Sequence, residues 1–510
     1  MPAPRGWHCA TTSWAIGRIH EEAMPGQIID YRYCERQNGL IRSLNGQREE
    51  HEPGEEIMKT PLPSGHRVPS RQFGRRAALR MAAGASAGAA LAATPLAQAA
   101  APIDISFWTF DNPQQRPWLQ KRVQLYMAQH PNVRVSFQWF AFADLGKKLS
   151  VGFATGTAPD GFVSQDWFMP TWLSKNLLAP LDLQRLGYAS LDAFRSSLTP
   201  AFVAGAVQDG KAYGYPLWFY GYVNYLNTKQ FHEVGLDPVK DAPQSWDQLG
   251  EVAKRLTIKK GNRFVRQGFK FAMHAAQWTM IQFNPILLQC GGTWFDATGK
   301  STVNNAAGFK AMTIRASIAR KYGAEDPADS IATNPIPQMD WLKERCSMFF
   351  SHPLPMATIE SQNPTMAAQR YFRPVQWPGV VPGKGFSTTY GFNLVINMHA
   401  PKHKQEVLHD LYRFIMSDPV DCWKATAPFP LALKGGWLDD PAVKNYPFLH
   451  EFIRARDTGV FLPRTVIFNE LADTMHRTVQ KIMLNNADIQ KSLDVAAAEI
   501  DRATAQSKRG

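Results

Sequence analysis

Several residues of this chain have types or spacings that could do chemistry. Gly84, Ser86 and Gly88 form a G-x-S-x-G pattern, the sharp turn on which hydrolases present a nucleophilic serine. They lie inside an Ala/Gly-rich run that cannot build a catalytic fold around them, so the match is accidental. Gly292 to Ser301 resembles a phosphate-binding loop, but six residues separate Gly292 from Gly299, more than the cradle allows, and Trp294 and Phe295 would block it. That stretch reads instead as a strand, a turn at 296–299 and a second strand. His399 and His403 have the i, i+4 spacing of a metal pair on a helix. Pro401 between them points to a loop leading into a helix. Asp111, Asp166 and Glu360 could supply a glycosidase pair, but position along the chain gives no carboxyl separation. No catalytic signal rises above chance, and neither a metal nor a cofactor is expected.

Rings beside carboxamides and carboxylates are more informative. The chain has 15 Trp in 510 residues, and all but two follow residue 100. A sugar offers apolar C–H faces that a ring can cover and hydroxyls that Asp, Asn and Gln can bind. Trp108, Phe110, Asp111 and Asn112 form one such mixture, and Gln165, Asp166 and Trp167 another.

The elements that must position them follow from periodicity. Residues 103–110 and 133–140 alternate as strands, and 117–130 and 144–155 read as helices, the latter stopped by Gly156. A short strand at 159–163 follows, then a helix at 172–178. The order β-α-β-α-β argues for an α/β sheet with parallel strands. Ligands of such sheets sit at the carboxyl ends of strands, where both mixtures fall. Residues 215–227 form a long extended run. Helices are read at 231–236, 246–256 behind a Ser245 cap, 278–289, 305–321 and 405–416. A buried strand is read at 390–398, and 468–505 is helical almost throughout.

Composition excludes other classes. Hydrophobic residues make up 45% and charged residues 19%, so the chain is not wholly disordered. The net charge of +13 is scattered, without the basic stripe of a nucleic-acid binder. Residues 1–57 have no periodicity and read as a disordered extension or a mis-assigned start. Residues 58–99 read as an export signal: Arg75 and Arg76, an Ala/Gly-rich run, then Ala97-Gln98-Ala99 as a cleavage site. The arginine pair partly matches a twin-arginine signal. After cleavage near Ala99 only Cys290, Cys346 and Cys422 remain, so at most one disulfide can form within the chain. No later stretch is long and apolar enough to span a membrane, which predicts a soluble periplasmic protein.

From about residue 103 to 505 the chain resembles the extracellular solute-binding proteins that include bacterial maltose-binding protein, receptors for ABC importers. The resemblance rests on an ordered set of segments: the strand with Trp108, GTAPDGFVSQDWFMPTWLSKNLLAPLD, YGYPLWFYGYVNYLNTKQFHEVGLDPVKDAPQSWDQLGEVAKRLT, NPILLQCGGTWFDATGK, FFSHPLPMAT and YGFNLVINMHAPK. It implies an α/β fold of two lobes, a hinge crossed several times, and a ligand cleft between the lobes. Lobe one would be 101–218 plus 358–418 and lobe two 219–357 plus 419–510, with crossings near 217–220, 357–360 and 417–418. By matching segment, Trp218 and Tyr220 lie at the first crossing, Trp278 and Gln282 at the start of a lobe-two helix, and Glu360 and Gln362 after the second crossing. Trp377, in a Pro/Gly-rich loop, would flank the cleft. Trp108 fits a core position as well as a contact, Glu360 fits a helix cap, and Trp246 and Trp294 read as structural. The implied function is binding of a sugar or oligosaccharide by a monomer that delivers it to membrane permease subunits. A phosphorylated polyol, a polyamine or a metal would be another cargo for the same receptor. A secreted carbohydrate-active enzyme is the competing class. The chain departs from maltose binders at Tyr220 and around Asp166, so maltose itself is not implied.

Overall fold

The computed structural model describes residues 101–331, 336–426 and 431–508, with the side chains of residues 201 and 204 excepted. The export signal, its arginine pair and the residues before it lie outside these.

The first sheet is built from β1 (Ile103–Phe110), β2 (Val133–Phe140), β3 (Gly161–Gln165), β4 (Tyr215–Gly221) and, last in the chain, β8 (Thr389–Ile396). Its order is β2-β1-β3-β8-β4. β1 pairs parallel with β2 and β3, whereas β8 runs antiparallel to both β3 and β4. The sheet is therefore mixed and not purely parallel. The alternation of β2 survives as alternating burial at the edge. Every residue of β3, β4 and β8 is buried, as strands covered on both faces require. The second sheet has three strands, β5 (Val223–Asn227), β6 (Met348–Ser351) and β7 (Phe372–Val375), with β5 central and both neighbours antiparallel.

Helices cover both sheets. Those used below are α1 (Gln115–Gln129), α2 (Leu145–Thr155), α3 (Trp246–Leu256), α4 (Ala276–Gln289), α5 (Ala306–Arg320), α6 (Leu354–Gln362), α7 (Lys402–Ile415), α8 (Pro419–Thr426), α9 (Leu449–Thr458), α10 (Phe468–Asn485) and α11 (Ile489–Ser507). Local chemistry sets several ends. Gly156 stops α2 at φ 70°, and Ser245 and Asn305 cap α3 and α5 by accepting the amides of Gln248 and Gly308. The helix read at 172–178 is Met169–Ser174 instead, because Asn176 turns left-handed at φ 54° and Leu178 bridges to Asn397. The C-terminal helix breaks at Asn486, at φ 48°, and restarts behind the Asp488 cap. Phe295 bridges Ser301 around a turn in which Asp296 accepts the amides of Thr298 and Lys300. The three cysteines of the described residues are free.

Among the described residues, the chain passes three times between the elements packed on one sheet and those packed on the other. Tyr222 alone separates β4 from β5. Residues 376–388 lead from β7 back to β8. Residues 459–467 join α9, which packs on β4, to α10, which packs on α4. The expected crossings at 357–360 and 417–418 do not coincide with these. The first falls in α6, before β7 has paired with β5, and the second precedes α8, which packs on α1. The three connections are tied together: the Tyr222 amide donates to Ser387 Oγ at 3.1 Å, Val460 donates to the Ser387 carbonyl at 2.8 Å, and Thr389 donates to the Val460 carbonyl at 2.9 Å.

Candidate functional site

The ends of β1, β3 and β8 and the loop after β2 bring rings of the first sheet against rings carried by α4, α10 and the stretch after β6. Phe110 lies 5.5 Å from Phe142 and 4.7 Å from Phe392. Phe142 in turn stacks on Trp278 of α4, with centroids 5.7 Å apart at 25°. Trp278 also meets Tyr222, His274 and His352 at 5.2–6.2 Å. Tyr220 lies 5.0 Å from Tyr390 and 5.6 Å from His352. Trp167 stacks on Phe468, the first residue of α10, at 5.7 Å and 27°, and meets Tyr390 edge-on. Rings from both halves of the molecule thus share one space.

A carboxyl group sits among them. Asp166, at the end of β3, is only 4% exposed, and neither oxygen has a partner in hydrogen-bond geometry. Burial pushes its pKa up to about 7. The Arg464 guanidinium and the nearby amides of Gly391 and Trp167 pull the other way without offsetting the desolvation. Arg464 is itself largely buried, keeps Asp166 as its favourable charge, and lies 4.2 Å over the Phe461 ring. The neighbouring Gln165 Oε1 and Trp167 Nε1 are buried without partners. Burial raises the phenols of Tyr220, Tyr222 and Tyr390 well above their ordinary range, so they stay protonated and able to donate. His352 keeps some solvent access, yet desolvation lowers its pKa to about 3 and His274 to about 4. Both are therefore neutral near pH 7. The space offers ring faces, neutral donors, carboxamide acceptors and one carboxyl poised between its two states. Such a set suits a molecule rich in hydroxyls.

Of the residues chosen from sequence, the structure brings Phe110, Gln165, Asp166, Trp167, Tyr220 and Trp278 together here. Trp218 backs this layer, packed on Phe110, Trp118 and Phe392. The others have different partners. Trp108 packs on Phe140 and against Gly152 of α2, where an added Cβ would come within 3.2 Å of its ring. Asp111 is exposed and pairs with Arg116 at 3.2 Å. Asn112 accepts the amides of Gln114 and Gln115 and so starts α1. Gln282 is spent on the backbone of Ala272, with both bonds at 3.0 Å. Glu360 and Gln362 are exposed on the last turn of α6. Trp377 stacks on Phe350 at 3.7 Å and lines a separate cavity. Trp246 and Trp294 donate to Gln289 and Asn284, as structural residues do.

Phe142, Tyr222, His352, Tyr390, Arg464 and Phe468 were missed. Tyr222 and Tyr390 lie in runs already read as extended. Arg464, alone behind Pro463, carries no periodic signal.

A model of the bacterial extracellular solute-binding protein family matches residues 111–419. The chain belongs to that family. Over 395 residues this solute-binding protein is 21% identical to a binding protein of Brucella abortus, covering 76% of this chain and 89% of the relative. Over 235 residues it is 25% identical to the lactose-binding protein of Rhizobium radiobacter, covering 44% of this chain and 51% of the relative. The structure of an ABC transporter solute-binding protein from Thermotoga lettingae, bound with alpha-D-tagatose, superposes with a TM-score of 0.68 at 17% identity. That match covers 78% of this chain and 99% of the other, and it shows the fold: two α/β lobes around an interlobe cleft. The family is a class of receptors, not of enzymes. Among the described residues no helix is long and apolar enough to cross a membrane.

Proposed function

We propose that this protein is the exported periplasmic receptor of an ABC importer and carries a sugar or short oligosaccharide, without turning it over, to membrane permease subunits. The observation that carries the reading is Asp166: a buried carboxyl without a hydrogen-bond partner, among rings from both halves of the molecule. Sugar hydroxyls would supply the missing bonds, while Trp278, Phe142 and Trp167 would cover C–H faces. Ring contacts contribute about 0.5–1.5 kcal/mol each beyond area burial, and micromolar affinity needs about 8 kcal/mol. Two or three rings with several charge-assisted hydrogen bonds reach that total. The lactose-binding relative and the tagatose-bound structure support this cargo class.

The lobes are taken as roughly 101–221 with 389–458, and 223–375 with 468–507, because the strands of each sheet and most of their helices pack within these groups, α9 lying chiefly on β4 but also reaching β5. A ligand touching both groups shifts the molecule toward closure, since only differential contact moves such an equilibrium. The protein acts as a monomer.

Arg464 favours a second cargo. Its buried charge would suit the phosphate of a phosphorylated polyol, with Asp166 protonated. A thermal-shift screen of mono- and disaccharides beside glycerol 3-phosphate separates the two. At a hundredfold excess over Kd the expected stabilisation is about 2.7 kcal/mol. A rise with sugars alone supports the first reading, a rise with glycerol 3-phosphate alone replaces it with the second, and no rise with either refutes both.

A further inference from the structure

A cavity of about 160 Å³ lies away from the ring cluster, on residues 376–388 and the strand before them. One water needs only about 10–15 Å³ on this measure, so there is room for a small polyatomic ligand. Its walls come from three places: Arg373, Gln376 and Trp377 on the path from β7 to β8, Glu451 and Arg454 on α9, and Gln244 before α3.

The charge on these walls is unbalanced. Glu451 is the one acid lining the cavity, and it is already engaged: its carboxylate accepts Gln376 Nε2 at 2.6 Å and lies 3.4 Å from His450. Neither Arg373 nor Arg454 comes within ion-pair distance of it or of any other described acid. Arg373 Nε and Trp377 Nε1 are buried donors without acceptors, and Trp377 is only 3% exposed. The buried N–H donors of Arg373 and Trp377 lack acceptor oxygens, and the exposed Arg454 adds a second unpaired positive charge to the same cavity. Arginine forks match planar or tetrahedral oxyanions.

We propose that this cavity is a second binding site, for a small oxyanion such as phosphate or a short carboxylate. The anion would join α9 to the segment connecting the two sheets. The proposal does not depend on what the cleft carries.

Calorimetric titration of the full chain with sodium phosphate, and separately with succinate, tests it, with chloride holding the ionic strength constant. Arg454→Gln is the main variant, because the Arg454 side chain is exposed and has no hydrogen-bond or ion-pair partner among the described residues whose loss should disturb the fold. Arg373→Gln is the second and Trp278→Ala the cleft control. Binding of either anion to the wild type, weakened at least tenfold in both arginine variants and unchanged in Trp278→Ala, supports the site, and the anion that binds names the source. No binding of either anion overturns it. So does binding that survives both arginine substitutions, or binding lost in Trp278→Ala but kept in Arg454→Gln.

Discussion

Asp166→Asn should abolish a pH dependence of stability that the wild-type protein carries between about pH 4 and pH 7. The folded carboxyl is raised from its ordinary 3.8 to about 7, so across this window the native state holds a proton that the unfolded chain releases. The native state is then the one that binds more protons, and stability falls as pH rises. The favourable contribution is fully present below 3.8 and is lost as pH climbs through about 7. At about 1.4 kcal/mol per pH unit the full change is about 4 kcal/mol. Asparagine is nearly isosteric and cannot ionise, so its profile should be flatter by that amount. The opposite charge that Arg464 would lose is already counted in that figure, because the raised pKa is what remains after the guanidinium's pull. Urea denaturation of both proteins at pH 4.5, 6 and 8 measures the difference. Parallel profiles would refute the reasoning, since they would mean that Asp166 ionises normally in the folded protein. Ligand hydroxyls donating to this carboxylate should also lower its pKa, so binding at pH 7 should release protons. Titrations in buffers of different ionisation enthalpy detect that release.

Other substitutions separate cleft from scaffold. Trp278→Ala removes the ring stacked on Phe142 and should weaken sugar binding about tenfold, measured by calorimetry. Gln282→Ala strips both partners from the Ala272 backbone. It should lower stability by about 1–3 kcal/mol in urea while the wild-type affinity is kept at saturating fold. Lys270→Met leaves Asp329 and Asp340, 2.8 and 2.6 Å from the ammonium, without their buried cation. It should cost about 3–5 kcal/mol in stability, read from the shift of the urea midpoint.

Much of this fold could be read from sequence because its signals are local. The alternation in β1 and β2, the Ser245 cap and the Gly156 stop each act within one turn or strand. The position of Asp166 followed from the rule that ligands gather at strand ends. What escaped depends on distant pairing. Residues 215–227 read as one extended run, yet two sheets divide it at Tyr222. Asn112 and Gln282 have the chemistry of ligand contacts, but nearby backbone amides and carbonyls claim them first. Arg464 reaches Asp166 across some 300 residues of chain, and His352 follows a short strand whose sheet partners are not evident from periodicity.

Tyr222, Ser387 and Val460 lie side by side and are stitched by hydrogen bonds. Three strands of chain therefore act as one flat strap and not as three independent tethers. Bending any of them pulls on the other two. An interlobe swing of the kind proposed above would therefore have to bend all three connections together.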